Sequence, residues 1–136
     1  MEFTFGELGV FPATEDELEE IAHFRSLHPE FTPEDLLCAV YLCRCIDRAR
    51  SSPVRRGNHG DHVTAADLLA VSPGVAEEVF GPNAPEWLAA IGIRGSRDFG
   101  QIVWRFIRIG FFGSLPEDYP EQFHSHSELD EYLQQA

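Results

Sequence analysis

Apolar residues recur along this chain at helical spacing, and a polar helix-start signal stands in front of most runs. The clearest run is Phe99, Ile102, Val103, Phe106 and Ile107, at offsets 0, 3, 4, 7 and 8, which puts them on one stripe of an α-helix. Ser96 stands at the cap position, and Asp98 lies in the first turn, where a carboxylate meets the positive end of the helix dipole. Gly110 is placed to take the left-handed turn that stops this helix, with Phe111 folding back on Phe106. A mid-helix glycine costs ~1 kcal/mol against alanine, so Gly100 points to close approach of a neighbouring element.

The same grammar repeats upstream. Thr14 with Glu17 has the form of a capping box, in which hydroxyl and carboxylate each satisfy a free backbone amide. Leu18, Ile21, Ala22 and Phe24 follow, and Pro29 closes the segment. Thr32 with Asp35 makes a second box, with Pro33 where its missing N–H is harmless and Phe31 placed to staple Leu36. The helix over residues 33–50 then reads apolar on every side for two turns, the mark of a central helix or an oligomer interface. Thr64 with Asp67 repeats the box, and Val63 is placed to staple Leu68. Pro73-Gly74 predicts a break between a helix ending near residue 71 and another over 75–80, stopped by Gly81-Pro82. A short helix over 84–91 ends at Gly92, and Ser127 with Asp130 starts a last one. The arm over residues 3–11 alternates weakly and reads as a short edge strand or a strap.

These elements predict a mainly α protein: a compact single-domain bundle of five to seven short helices, with at most a small β-strand or hairpin element. The 136 residues divide into an N-terminal arm (1–12), the helical body with an Arg/Gly/His loop (51–62), and an acidic C-terminal segment (116–136). The longest apolar run, residues 36–43, is far short of the ~20 needed to span a bilayer. With no basic-then-apolar leader pattern and three cysteines suited to free thiols, the reading is a cytoplasmic protein.

Charge is unevenly spread. The net value is −13, which disfavours nucleic acid and anionic membranes as general partners. Residues 1–35 hold ten acids and one Arg, and residues 113–136 hold six acids and no base, while the centre holds seven acids and nine Arg. Every basic residue is Arg, and lysine is absent.

Several motifs in order resemble a known family. His28-Pro29-Glu30-Phe31-Thr32-Pro33-Glu34 is similar to an Asp-Pro-x-Tyr-x-Pro-Glu helix entry, and His62-Val63-Thr64-Ala65-Ala66-Asp67-Leu68-Leu69 to His-Val-Ser-Gly-Gln-Glu-Leu-Leu. Phe80-Gly81-Pro82 and Asp98-Phe99-Gly100-Gln101-Ile102-Val103 complete the series. Over roughly residues 28–136 the chain resembles the Minf_1886 family of small uncharacterised bacterial proteins. The resemblance implies a shared fold and brings no activity with it. At Arg97, Arg105 and Arg108 that family pattern has acidic or neutral residues, so a basic face there is this chain's own.

That face is the leading candidate site. Arg97, Gln101, Trp104, Arg105 and Arg108 fall at offsets 0, 4, 7, 8 and 11, opposite the apolar stripe. Trp and Arg are enriched in interaction hot spots. The expected function is a non-catalytic protein–protein interaction or adaptor module, its partner another protein or a second copy of itself through apolar surface of the 33–50 helix. A winged-helix-like DNA-binding regulator is the alternative, with Arg48, Arg55 and Arg56 as a secondary basic set. A metal-dependent enzyme using His59, Asp61 and His62 is the second alternative. Catalytic motifs such as Gly-x-Ser-x-Gly or His-Glu-x-x-His do not occur, which leans away from an enzyme, and no motif calls for a cofactor. Cys38, Cys43 and Cys45 lack a Cys-x-x-Cys spacing and read as buried thiols rather than zinc ligands.

Overall fold

Thr14 and Thr32 start the first two helices by the same device. In each case the hydroxyl accepts an amide from the residue three positions on, Glu17 or Asp35, at 3.2 Å. The returning carboxylate accepts the cap amide, at 2.8 Å from Thr14 and 3.0 Å from Thr32. A computed structural model describes residues 3–4, 10–11, 14–51, 65–109 and 127–134. Among these the helices are α1 (Glu15–Leu27), α2 (Pro33–Ser51), α3 (Ala65–Phe80), α4 (Ala84–Ala90), α5 (Ser96–Arg108) and α6 (Glu128–Gln134), with a 3-10 turn at Gly81–Asn83. Strands β1 (Phe3–Thr4) and β2 (Val10–Phe11) pair antiparallel, Phe3 opposite Phe11 and Thr4 opposite Val10. The fold is mainly α, as the pattern predicts.

α2 is the axle. Leu36 to Leu42 are all buried without interruption, as are Cys45 and Ala49. Much of its greasy circumference is therefore covered within its own chain, with Cys43 and Ile46 left half-buried. Tyr41, fully buried, meets Phe99 of α5 edge-on at 6.1 Å and Phe80 of α3 at 5.6 Å. α5 runs antiparallel to α2: Phe99 lies by Tyr41 and Phe106 by Phe31 at 5.7 Å. Cys38 Sγ donates to the Ile91 carbonyl at 3.3 Å, tying α2 to the end of α4.

The predicted break at Pro73 does not occur; α3 is one helix with the proline inside it. Proline removes the N–H that would bond the Leu69 carbonyl. The Ser72 hydroxyl takes over, donating to that carbonyl at 2.9 Å. Tyr41 then donates to the Ser72 carbonyl at 2.8 Å, so both ends of the weak turn are satisfied inside the core. Local punctuation loses here to tertiary packing. The starting box at Thr64, like the staple at Val63, lies outside the described residues.

α4 stops as a Schellman motif. Gly92 has φ +91, its amide bonds the Ala89 carbonyl at 3.1 Å, and the Ile93 amide bonds Leu88 at 2.8 Å. Leu88 and Ile93, the apolar pair of that motif, are both fully buried.

The cap of α5 also differs from expectation. Ser96 is its first helical residue, not its cap, and Gly95 at the cap position offers no side chain. Instead Asp130 of α6 reaches across: its Oδ1 accepts the Ser96 amide at 3.0 Å. Its Oδ2 accepts the Ser127 amide at 3.0 Å and hydroxyl at 3.2 Å, which starts α6. One carboxylate thus serves two helix starts. A Cβ on residue 95 would stand 2.9 Å from Asp130 Oδ1, so glycine is what leaves room for the reach. Leu129 beside it is fully buried, so part of the expected acidic C-terminal segment belongs to the core. The expected stop at Gly110 lies outside the described residues. Gly100 is buried within α5.

Candidate interaction face

α5 presents two faces. Phe99, Gly100, Val103 and Phe106 are buried, with Ile102 and Ile107 half-buried at the margins. Arg97, Gln101, Arg105 and Arg108 are exposed, and Trp104 is half-buried among them. The candidate residues do share one side of one helix, and the apolar stripe turns inward as its spacing predicts.

They are not equivalent. Arg105 is committed within the fold. Its Nη1 lies 2.8 Å from Asp35 Oδ1, its second nitrogen is 3.4 Å from Oδ2, and its guanidinium sits 4.9 Å from the centre of the Phe31 ring. A bidentate pair above an aromatic face is how an arginine binds firmly. Arg105 therefore clamps the end of α5 to the start of α2. Arg97 and Arg108 make no ion pair among the described residues. Trp104 is half-buried, so part of its side chain stays at the surface.

A second theme emerges that the sequence reading did not assign. Three of the carboxylates that start helices also bind another helix. Glu17 of α1 accepts Arg44 of α2 at 2.9 and 2.6 Å, Asp35 of α2 accepts Arg105 of α5, and Asp130 of α6 accepts Ser96 of α5. Burial pushes the Glu17 carboxyl up, but the Arg44 and Thr14 hydrogen bonds outweigh it and the net shift is downward. Asp130 behaves alike: burial raises it, and the Ser96 and Ser127 bonds bring it below its ordinary value.

The secondary basic set is dispersed or undescribed. Arg48 pairs with Glu78 of α3. It lines an open groove of about 450 Å³ between α2 and α3 with Arg44, Asp47, Ser51 and Glu78. Asp35, where Arg105 binds, is thirteen residues earlier on α2, ~20 Å along the axis. Arg48 and the α5 face are therefore separate places. Arg55, Arg56, His59, Asp61 and His62 all lie outside the described residues.

Cys38 and Cys45 are buried and Cys43 is half-buried, all three as free thiols. Burial drives the thiols of Cys38 and Cys43 up to about 12, and Cys45 higher still. Protonated thiols of this kind behave as small apolar side chains. Among the described residues no group of three or more His, Cys, Asp or Glu could hold a metal ion. Among them, too, no helix is long and apolar enough to cross a membrane. No family model, curated protein or solved structure matches the chain.

Proposed function

We propose that this chain is a non-catalytic protein-interaction or adaptor module that engages a partner protein through the outer face of α5. One observation carries the reading. The chain has 23 acidic side chains for 10 Arg, yet Arg97 and Arg108 stand exposed with no ion pair among the described residues. Gln101 and the outer edge of Trp104 lie between them on the same line. The mechanism is desolvation of the indole, flanked by guanidinium groups that select carboxylates. Eleven residues of helix separate the two arginines, so the partner carries acidic groups ~16 Å apart on either side of an apolar spot.

Affinity purification from the native cell, with mass spectrometry, identifies the partner. Arg97→Glu with Arg108→Glu abolishes its capture while the melting temperature holds. If the charge-reversed chain captures the same proteins as the wild type, the face is not the site.

A DNA-binding reading draws on one observation, the α4–turn–α5 layout that resembles a helix-turn-helix. Engagement of Arg105 by Asp35 and the −13 net charge count against it. Duplex binding at low salt, lost in the same double variant, would favour it. The resemblance to the Minf_1886 family belongs to the same proposal. Its motifs coincide with the entry to α2, the turn after α3 and the first turns of α5.

A further inference from the structure

We propose that α6 is a latch on the α5 face: its docking orders the first turn of α5 and so sets the Arg97 end, while the Arg108 end is fixed independently. This rests on the reading of that face as the binding site and adds a means of control. The two ends of α5 are held by different elements. At the far end Arg105 forks onto Asp35 of the central helix α2 at 2.8 and 3.4 Å, and Phe106 packs on Phe31 at 5.7 Å. At the near end the local hold is thin. Gly95 at the cap position has no side chain, and the Asp98 carboxylate is used one step earlier, on the Arg94 amide at 3.0 Å. The Ser96 amide finds its acceptor on another helix, at Asp130 Oδ1. Gly100, just inside the turn, weakens it further relative to alanine. Two glycines thus bracket a turn whose second residue is Arg97.

α6 has seven residues, too few to hold a helix without packing. Leu129 seats it, fully buried, and Tyr132 and Leu133 pack half-buried against the same core. Asp130 adjoins Leu129, so its carboxylate reaches Ser96 only while Leu129 is in place. Its Oδ2 is held by the Ser127 amide and hydroxyl, which aims Oδ1 at α5. When α6 leaves, the first turn of α5 loses that acceptor and the backbone around Arg97 loosens. Phe99 stays pinned against Tyr41, and the Arg105 clamp stays closed, so the loosening stops within the first turns. The coupling is reciprocal: a partner that fixes Arg97 also draws α6 into place.

The test is amide hydrogen exchange of the full chain, resolved by residue with NMR. Gly95→Ala is the specific variant. Its Cβ would stand 2.9 Å from Asp130 Oδ1, which must swing off Ser96, while the extended backbone at residue 95, φ 178, suits alanine and Leu129 is untouched. Leu129→Ala unseats α6 itself. In both variants the amides of Phe99, Gly100 and Gln101 exchange about five-fold or more faster, and those of residues 105–108 keep the wild-type rate. Gly95→Ala also speeds exchange in α6. Thr32→Ala, which weakens the start of α2, produces no such contrast between the ends of α5. Unchanged exchange at Phe99–Gln101 in Gly95→Ala, or equal acceleration along the whole of α5, would overturn the latch. This measurement needs no partner, so a face that captures nothing leaves it standing. With the partner in hand, Gly95→Ala weakens capture by the wild type and adds nothing in an Arg97→Gln background; independent losses would overturn the link between latch and face.

Discussion

The starts of α2 and α5 solve one problem with different partners. At α2 the free amides of the first turn find acceptors within four residues, because Thr32 and Asp35 cap each other. At α5 the cap residue is Gly95, and the acceptor for Ser96 comes from Asp130, 34 residues further on. Each bond is worth about the same, ~1 kcal/mol. What differs is when it exists. The α2 cap is available to an isolated segment, whereas the α5 cap exists only once α6 has docked. α5 is therefore coupled to the C-terminal helix in a way that α2 is not, and Asp130 is the coupling atom group for both α5 and α6.

The contrast can be broken or sharpened by substitution. The largest effect belongs to the α5 stripe: Phe99→Ala removes a fully buried ring against Tyr41 and should cost about 3–5 kcal/mol in urea unfolding. A loss under ~1 kcal/mol would mean that the stripe does not anchor α5. Next comes Asp130→Ala, which uncaps two helices and should cost about 2 kcal/mol, against about 1 for Thr32→Ala. Equal losses would remove the distinction between the two caps.

Acidity sharpens the same point. The folded-state pKa of Asp130 lies below its unfolded value. Its contribution is thus fully present above the ordinary carboxylate range, ~4, and is lost as pH falls through the lowered folded value. The stability gap between wild type and Asp130→Asn should accordingly narrow on acidification below about pH 4, as denaturation series would show. The smallest effect separates two arginines on one face. Arg105→Gln breaks the Asp35 clamp and should cost up to ~1 kcal/mol, while Arg97→Gln should leave stability unchanged. A cost at Arg97 equal to that at Arg105 would erase the division of the face into a structural and a free part.

Much of the fold is legible in local spacing. The boxes at Thr14 and Thr32 and the Schellman stop at Gly92 involve groups a few residues apart, so a linear pattern records them fully. The stripe of α5 and the all-round apolar run of α2 likewise announce their burial. Pro73 was misleading for a related reason: its local cost is real, but the rescue comes from Ser72 beside it and from Tyr41 on another helix. The candidate site was half legible. Helical periodicity placed Arg97, Gln101, Trp104, Arg105 and Arg108 on one side, and nothing in the spacing distinguished Arg105. An Asp at the third position of a box is the one clue, since such a carboxylate has a second oxygen to offer.

By itself the sequence determined which segments coil, where most of them start and which side of each is apolar, because these follow from interactions within one or two turns. Only the tertiary structure decided that Asp130 would cap α5, that α3 would run through its proline and that Arg105 would be spent on Asp35. Those choices depend on side chains brought together from 31 to 70 positions apart, and no local pattern encodes the meeting of groups so distant along the chain.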